Sequence, residues 1–251
     1  MSDSVPPYCI RTDFRIDLNT TIRHFMSDSG IWFEGCYMYM ETFKKLNEVR
    51  HLLPPVFEVS EIARFFPEKS APRKFCERLV AQGVLLRLKK GVYAFCEVHA
   101  LVVANYLAPC SYVSFETALS HYGMIPEFTP LIMSVSSVSR HRTYVTAIGS
   151  YEYFHQHSEL FATGMDRLSI GENTPLLIAT PEKALCDALA RRGEQYHNKD
   201  VDFMGALIDG LRIEDDTLKN LDYDHIKSLG NLYTSRAPKL LYSYLMERFG
   251  K

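Results

Sequence analysis

The sequence predicts an α+β fold: an N-terminal winged helix-turn-helix followed by a mixed α+β C-terminal domain. Three observations predict it. Residues 38–96 carry three helical patterns and then a basic hairpin. Residues 97–251 interleave β-rich runs with apolar helical segments. Positive charge is gathered in one short stretch, although the 251-residue chain carries a formal charge of only −2.

Residues 1–37 mix Pro6, Pro7, Gly30 and Gly35 with scattered apolar residues and sustain no period. Two readings stand for this extension. Translation could naturally start at Met38 or Met40, or the stretch is an arm that packs on the body, since Ile31, Trp32 and Phe33 are costly to leave in water. From Met40 to Leu53 a first helix shows Phe43, Leu46, Val49 and Leu53 as an apolar stripe, and Pro54 and Pro55 end it. Glu58–Phe66 reads as a short second helix with Ser60 as N-cap and Ile62, Ala63 and Phe66 as its face. A third helix starts at Ser70 or Ala71, takes Pro72 in its first turn and stops at Gly83. Val84–Phe95 reads as two strands around the turn Lys89-Lys90-Gly91.

Beyond residue 96, Val98–Leu107 and Ser114–Gly123 read as helices. Leu131–Val138, Thr143–Ile148, Tyr151–His155, Arg167–Ile170 and Leu176–Ala179 read as strands. Thr180–Ala190 is a helix with Thr180 as N-cap and Pro181 at its first position. Further helical segments finish the chain, the last with Leu240, Leu241, Tyr244, Leu245 and Phe249.

Between Lys69 and Tyr93 lie Lys69, Arg73, Lys74, Arg78, Arg87, Lys89 and Lys90, opposed by Glu77. Seven cations against one carboxylate give +6, so the remainder must carry −8 to reach the total of −2. That asymmetry is the footprint of a polyanion partner. On the third helix, Phe75, Cys76, Leu79 and Val80 form one face and Arg73, Lys74, Glu77, Arg78 and Ala81 the other. A helix docked by one face and basic on the other fits the DNA major groove. Arg73 or Arg78 could hold guanine through two hydrogen bonds, with Lys74 on a base edge or phosphate. Lys89 and Lys90 suit phosphates or the minor groove.

Phe57 to Phe95 resembles the N-terminal winged helix of AbiEi-type antitoxins, transcriptional regulators of type IV toxin–antitoxin systems. Lys90-Gly-Val-Tyr-Ala94 looks like the step that closes the family's wing. Tyr112-Val-Ser-Phe-Glu-Thr-Ala-Leu-Ser-His-Tyr-Gly123 and Thr180-Pro-Glu-Lys-Ala-Leu-Cys-Asp187 are similar to two more specific family segments. The resemblance spans roughly residues 41–190. It implies a repressor of its own operon that opposes a nucleotidyltransferase-like toxin, which it need not touch. Double-stranded DNA is the expected partner, bound by two copies or a homodimer on repeated half-sites.

Two other functions are open. Glu116, Glu182, Lys183 and Asp187 raise a metal-dependent nuclease that receives DNA from the winged helix. Glu182 and Asp187, however, lie ~140° apart on a helix. They read more plainly as a helix-dipole partner and a polar-face residue. The third option is a protein-interaction module. His121, His141, His155 and His157 lack a third ligand within reach, and Ser134, Ser136, Ser137 and Ser139 with Arg140, His141 and Arg142 read as a solvated loop. No P-loop, GxGxxG or GxSxG occurs, so neither cofactor, metal nor catalytic residue is expected. Cys9, Cys36, Cys76, Cys96, Cys110 and Cys186 form no CxxC pair and read as buried, reduced thiols. No apolar run approaches the ~18 residues of a membrane span, and Met-Ser-Asp-Ser opens no signal peptide. The expected location is the cytoplasm.

Overall fold

A computed structural model describes residues 34–126, 130–138, 140–170, 174–193 and 203–250, with the side chains of residues 34–40, 158 and 203 left aside. The fold is α+β. It divides into two compact units, Met1–Val103 and Ala104–Lys251. The division falls inside a helix, later than the boundary at residue 96 that the sequence suggests. The expectations placed on residues 1–33, including Cys9 and the apolar trio Ile31, Trp32 and Phe33, lie outside the described residues.

In the first unit, α1 spans Glu34–Val49 and tightens into a 3-10 turn at Arg50–Leu52. The helix thus begins upstream of Met38 and Met40 and runs through both. Its stripe is as expected: Phe43, Leu46, Val49 and Leu53 are all buried. A short strand follows, β1 (Val56–Glu58), and then α2 (Val59–Ala63). Ser60 is not the N-cap of α2. Glu58 holds that place, and its backbone N–H donates to Oε2 of Glu61 at 2.7 Å. Ser60 instead donates its hydroxyl to Glu58.

Helix α3 spans Ala71–Ala81, with Pro72 in the first turn, where the missing N–H costs nothing. Past its end, Gly83 takes φ +70 and Val84 N–H closes on Leu79 C=O at 2.9 Å. That left-handed step is cheap for glycine and turns the chain into a strand. β2 (Leu85–Lys89) and β3 (Val92–Phe95) form a hairpin, and β1 pairs with the other edge of β3, giving the antiparallel order β1-β3-β2. Gly91 (φ +78) makes the tip, and its carbonyl accepts the N–H of Val59 at the start of α2. The core joins Phe43, Leu46 and Val49 of α1, Ile62 of α2, Phe75, Cys76 and Leu79 of α3, and Phe57, Leu85, Tyr93 and Phe95 of the sheet. Phe57 and Phe95 meet at 5.5 Å between ring centres.

The boundary helix is α4 (Ala100–Leu107). The second unit is built on a six-stranded mixed sheet in the order β6-β7-β5-β4-β9-β8. Its strands are β4 (Ser111–Val113), β5 (Leu131–Ser136), β6 (Arg142–Val145), β7 (Ser150–His155), β8 (Met165–Ile170) and β9 (Thr174–Ala179). β4 runs antiparallel to β5 and parallel to β9, and β5 runs parallel to β7. Helix α5 (Phe115–His121) follows β4, and the one-turn α6 (Ser158–Phe161) follows β7. The helical remainder is α7 (Pro181–Gly193), α8 (Phe203–Leu211), α9 (Asp215–Lys219), α10 (Tyr223–Leu232) and α11 (Arg236–Phe249). Thr180 caps α7, its hydroxyl oxygen accepting the N–H of Lys183 at 3.2 Å. α7 packs against α5, α10 and α11. Every residue from Glu182 to Leu189 is therefore buried. The polar face expected at Asp187 does not exist.

Candidate nucleic-acid interface

In the first unit, the sequence periodicity of α3 becomes a two-sided helix. Phe75, Cys76 and Leu79 enter the core, while Arg73, Lys74, Glu77 and Arg78 are exposed. Val80 is half-buried at the edge. At about 100° per residue, Lys74, Glu77 and Ala81 occupy the middle of the outer face, with Arg73 on one flank and Arg78 on the other.

The hairpin carries further cations. Arg87 is the cross-strand partner of Tyr93, so both side chains leave the sheet on the face that meets the helices. Tyr93 is buried, and its phenol is raised above its ordinary range. Burial is the main cause; the neighbouring Cys76 adds to it, and Glu77 adds a little more. Arg87 and Arg73 pull the other way. Arg73 Nε donates to Glu77 Oε1 at 3.1 Å, with side-chain exposures of 60% and 50%. Lys90 is exposed at the hairpin tip, Lys89 is half-buried beside it, and Lys69 is exposed ahead of α3.

The structure therefore brings Arg73, Lys74 and Arg78 onto one helix and places Arg87 opposite Tyr93 on the side of the sheet that meets the helices. Lys90 and Lys69 mark separate ends of the basic segment. By charge count alone Glu77 is an opposing carboxylate; the structure pairs it with Arg73. The i, i+4 spacing was the signal that could have found it.

The second unit holds a closed polar cluster on buried α7. Lys183 and Asp187 are both fully buried and lie 3.2 Å apart. Lys183 Nζ has three donors, and three acceptors receive them: Asp187 Oδ1, Gln156 Oε1 at 3.2 Å and Tyr233 Oη at 2.9 Å. Asp187 in turn accepts from Gln156 Nε2 at 2.7 Å, from Ser114 Oγ at 2.6 Å and from the Tyr233 hydroxyl. Tyr112 donates to Gln156 Oε1 at 2.8 Å. Burial drives the Lys183 ammonium down from its usual range, with Asp187 opposing. It drives the Tyr112 and Tyr233 phenols well up, with Asp187 adding to the rise. The ammonium and the carboxylate spend their hydrogen-bonding capacity on each other and on their neighbours. The cluster ties α7 to β4, to the segment after β7 and to the end of α10.

The carboxylates considered for metal chemistry are also engaged separately. Glu116 Oε1 accepts from Arg191 Nη2 at 2.9 Å and Arg192 Nε at 2.8 Å. Glu182 Oε1 accepts the N–H of Asp222 at 3.1 Å. Among the described residues no group of three His, Cys, Asp or Glu side chains could hold a metal ion. His141 contacts Glu152 at 2.7 Å, and the exposed His155 and His157 rings lie 5.6 Å apart, with His157 beyond the end of β7. Cys76 and Cys186 are buried free thiols, but Cys96 is half-buried and Cys110 is exposed, against the expectation of burial. No helix among the described residues is long and apolar enough to cross a membrane.

The fold and this surface define an α+β protein with a small basic three-stranded unit and a larger mixed-sheet unit. The chain matches no family model, and no curated protein matches it significantly. It is similar in fold to the crystal structure of the RV2827C protein from Mycobacterium tuberculosis. The TM-score is 0.52 at 14% identity, over 82% of this chain and 76% of that one.

Proposed function

We propose that this chain is a DNA-binding transcriptional regulator. In this reading the first unit is a winged helix-turn-helix: α2 and α3 are its paired helices, α3 enters the major groove, and β2–β3 form the wing. The observation that carries it is the outer face of α3, where Arg73, Lys74 and Arg78 are exposed opposite a buried apolar face. Arg87, the cross-strand partner of the buried Tyr93, adds a cation from the hairpin on the side of the sheet that meets the helices. A helix anchored by its back and basic in front can dock against a groove without reorganising.

The resemblance to AbiEi-type antitoxins extends the proposal to a protein that represses its own operon and opposes a nucleotidyltransferase-like toxin. Direct contact with the toxin is not required. We read the chain as a binding protein rather than an enzyme. The closed hydrogen bonding of Lys183 and Asp187, and the separate engagement of Glu116 and Glu182, support that choice. The second unit is then free to pair copies of the chain on repeated half-sites, ~34–36 Å apart for adjacent turns of DNA.

Footprinting on the DNA upstream of its own gene, with Mg²⁺ present, tests the proposal. Protection of a short repeated element without cleavage is the expected result. Cleavage would favour the nuclease. Absence of protection would remove DNA as the partner and leave protein interaction.

A further inference from the structure

A carboxylate in the middle of a basic helix face works against polyanion affinity. Glu77 holds that place on α3, between Arg73 and Lys74. Helix stability accounts for it only weakly. An acidic residue N-terminal to its basic partner is the better order at i, i+4, and here the arginine comes first. Acidic residues also favour the start of a helix, whereas Glu77 lies in the second half of α3.

The geometry of the pair gives the carboxylate another use. Glu77 Oε1 accepts from Arg73 through Nε, the inner nitrogen of the guanidinium. Among the described residues no other partner engages Arg73, so the terminal Nη1 and Nη2 remain available. A guanidinium anchored at Nε presents those two nitrogens as a planar fork, the shape that matches O6 and N7 of guanine. Resting on the DNA-binding reading above, we propose that Glu77 is a specificity-determining positioning residue. It aims Arg73 at a guanine, and its charge weakens binding to DNA that lacks one.

Two variants separate geometry from charge. Glu77→Gln keeps an acceptor for Arg73 Nε and removes the charge, whereas Glu77→Ala removes both. The preferred duplex is first selected from a randomised pool with the unaltered protein. Affinities are then measured for that duplex, for single-base replacements of each guanine in it, and for a random duplex. One guanine should confer roughly tenfold or greater preference, as two-point recognition does, and Arg73→Ala should abolish that preference. Glu77→Gln should retain most of it. Glu77→Ala should lose most of it, and both Glu77 variants should bind the random duplex several-fold more tightly. Both side chains are half-exposed, so thermal melts should match the unaltered protein.

A Glu77→Ala protein that keeps full guanine preference would overturn the positioning role. Guanine preference surviving Arg73→Ala would overturn the choice of reader. Failure of the unaltered protein to bind any duplex would instead remove the DNA-binding reading itself.

Discussion

Replacing Lys183 by methionine removes the ammonium from the most enclosed charge pair in the second unit while keeping an unbranched side chain of similar reach. Three acceptors then lose a donor at once: Asp187, Gln156 and Tyr233. The largest cost comes from Asp187, whose side chain has no exposure to water. Breaking such a buried pair from one side typically costs about 3–5 kcal/mol. For a chain of this size each kcal/mol lowers the melting temperature by ~2–4 °C, so the expected loss is about 6–20 °C. The assay is a thermal melt of Lys183→Met, Asp187→Leu and the double variant. Because each single change strands the other charge, the double variant should cost at least ~1 kcal/mol less than the two singles added together. A Lys183→Met protein that melts within about 2 °C of the unaltered protein would refute the account of the cluster. So would strict additivity of the two changes.

Other consequences are smaller or act elsewhere. Arg78→Ala should weaken binding to the preferred duplex by about 1–3 kcal/mol and relax selection at one base, as measured by anisotropy. Lys90→Ala should weaken all duplexes alike and lower the salt slope by ~1. Gly83→Ala meets no neighbouring atom but must adopt φ +70, so it should cost roughly 1–2 kcal/mol in a denaturant titration from backbone strain alone. Stability should also fall at alkaline pH. Burial pushes the Cys76 thiol up from 9.0 to about 12 and the Tyr122 phenol up from 10.0 to about 12. The unfolded chain therefore releases these protons first, and the stability they contribute is lost as pH rises from about 9 towards 12. Lys183, shifted downward, acts in the opposite direction below its ordinary range. Melts across pH should show the decline, and Cys76→Ala should soften its onset.

The basic segment was legible in the sequence because its parts are neighbours in the chain. Residues 71–81 carry their own helical period, the glycines at 83 and 91 mark the turns, and the hairpin follows at once. The short strands β1 and β4 were not legible, since three residues give alternation too little length to register. The start of α1 was not legible because the unbroken apolar run Cys36–Met40 carries no helical period, yet the helix begins at Glu34. The burial of Asp187 was not legible for a different reason. Spacing fixes where a residue lies around α7, but not that α5, α10 and α11 cover the helix. Its partners Tyr112, Ser114, Gln156 and Tyr233 come from remote parts of the chain, and only the tertiary fold gathers them. Arg87 shows the intermediate case. Its charge was evident, but its place opposite Tyr93 follows from strand register.

DNA binding is tested most directly by an anisotropy titration of the full chain against DNA upstream of its own gene. Random duplex of equal length is the control, and salt is varied from about 50 to 200 mM. Each neutralised phosphate contributes ~0.9 to the slope of log affinity against log salt, so the seven cations from Lys69 to Lys90 set an upper limit near −6 for each bound copy of the chain. DNA binding by this face predicts tighter binding to the upstream DNA and a slope between about −3 and −6 per bound copy. Equal, salt-independent binding to both duplexes would contradict it.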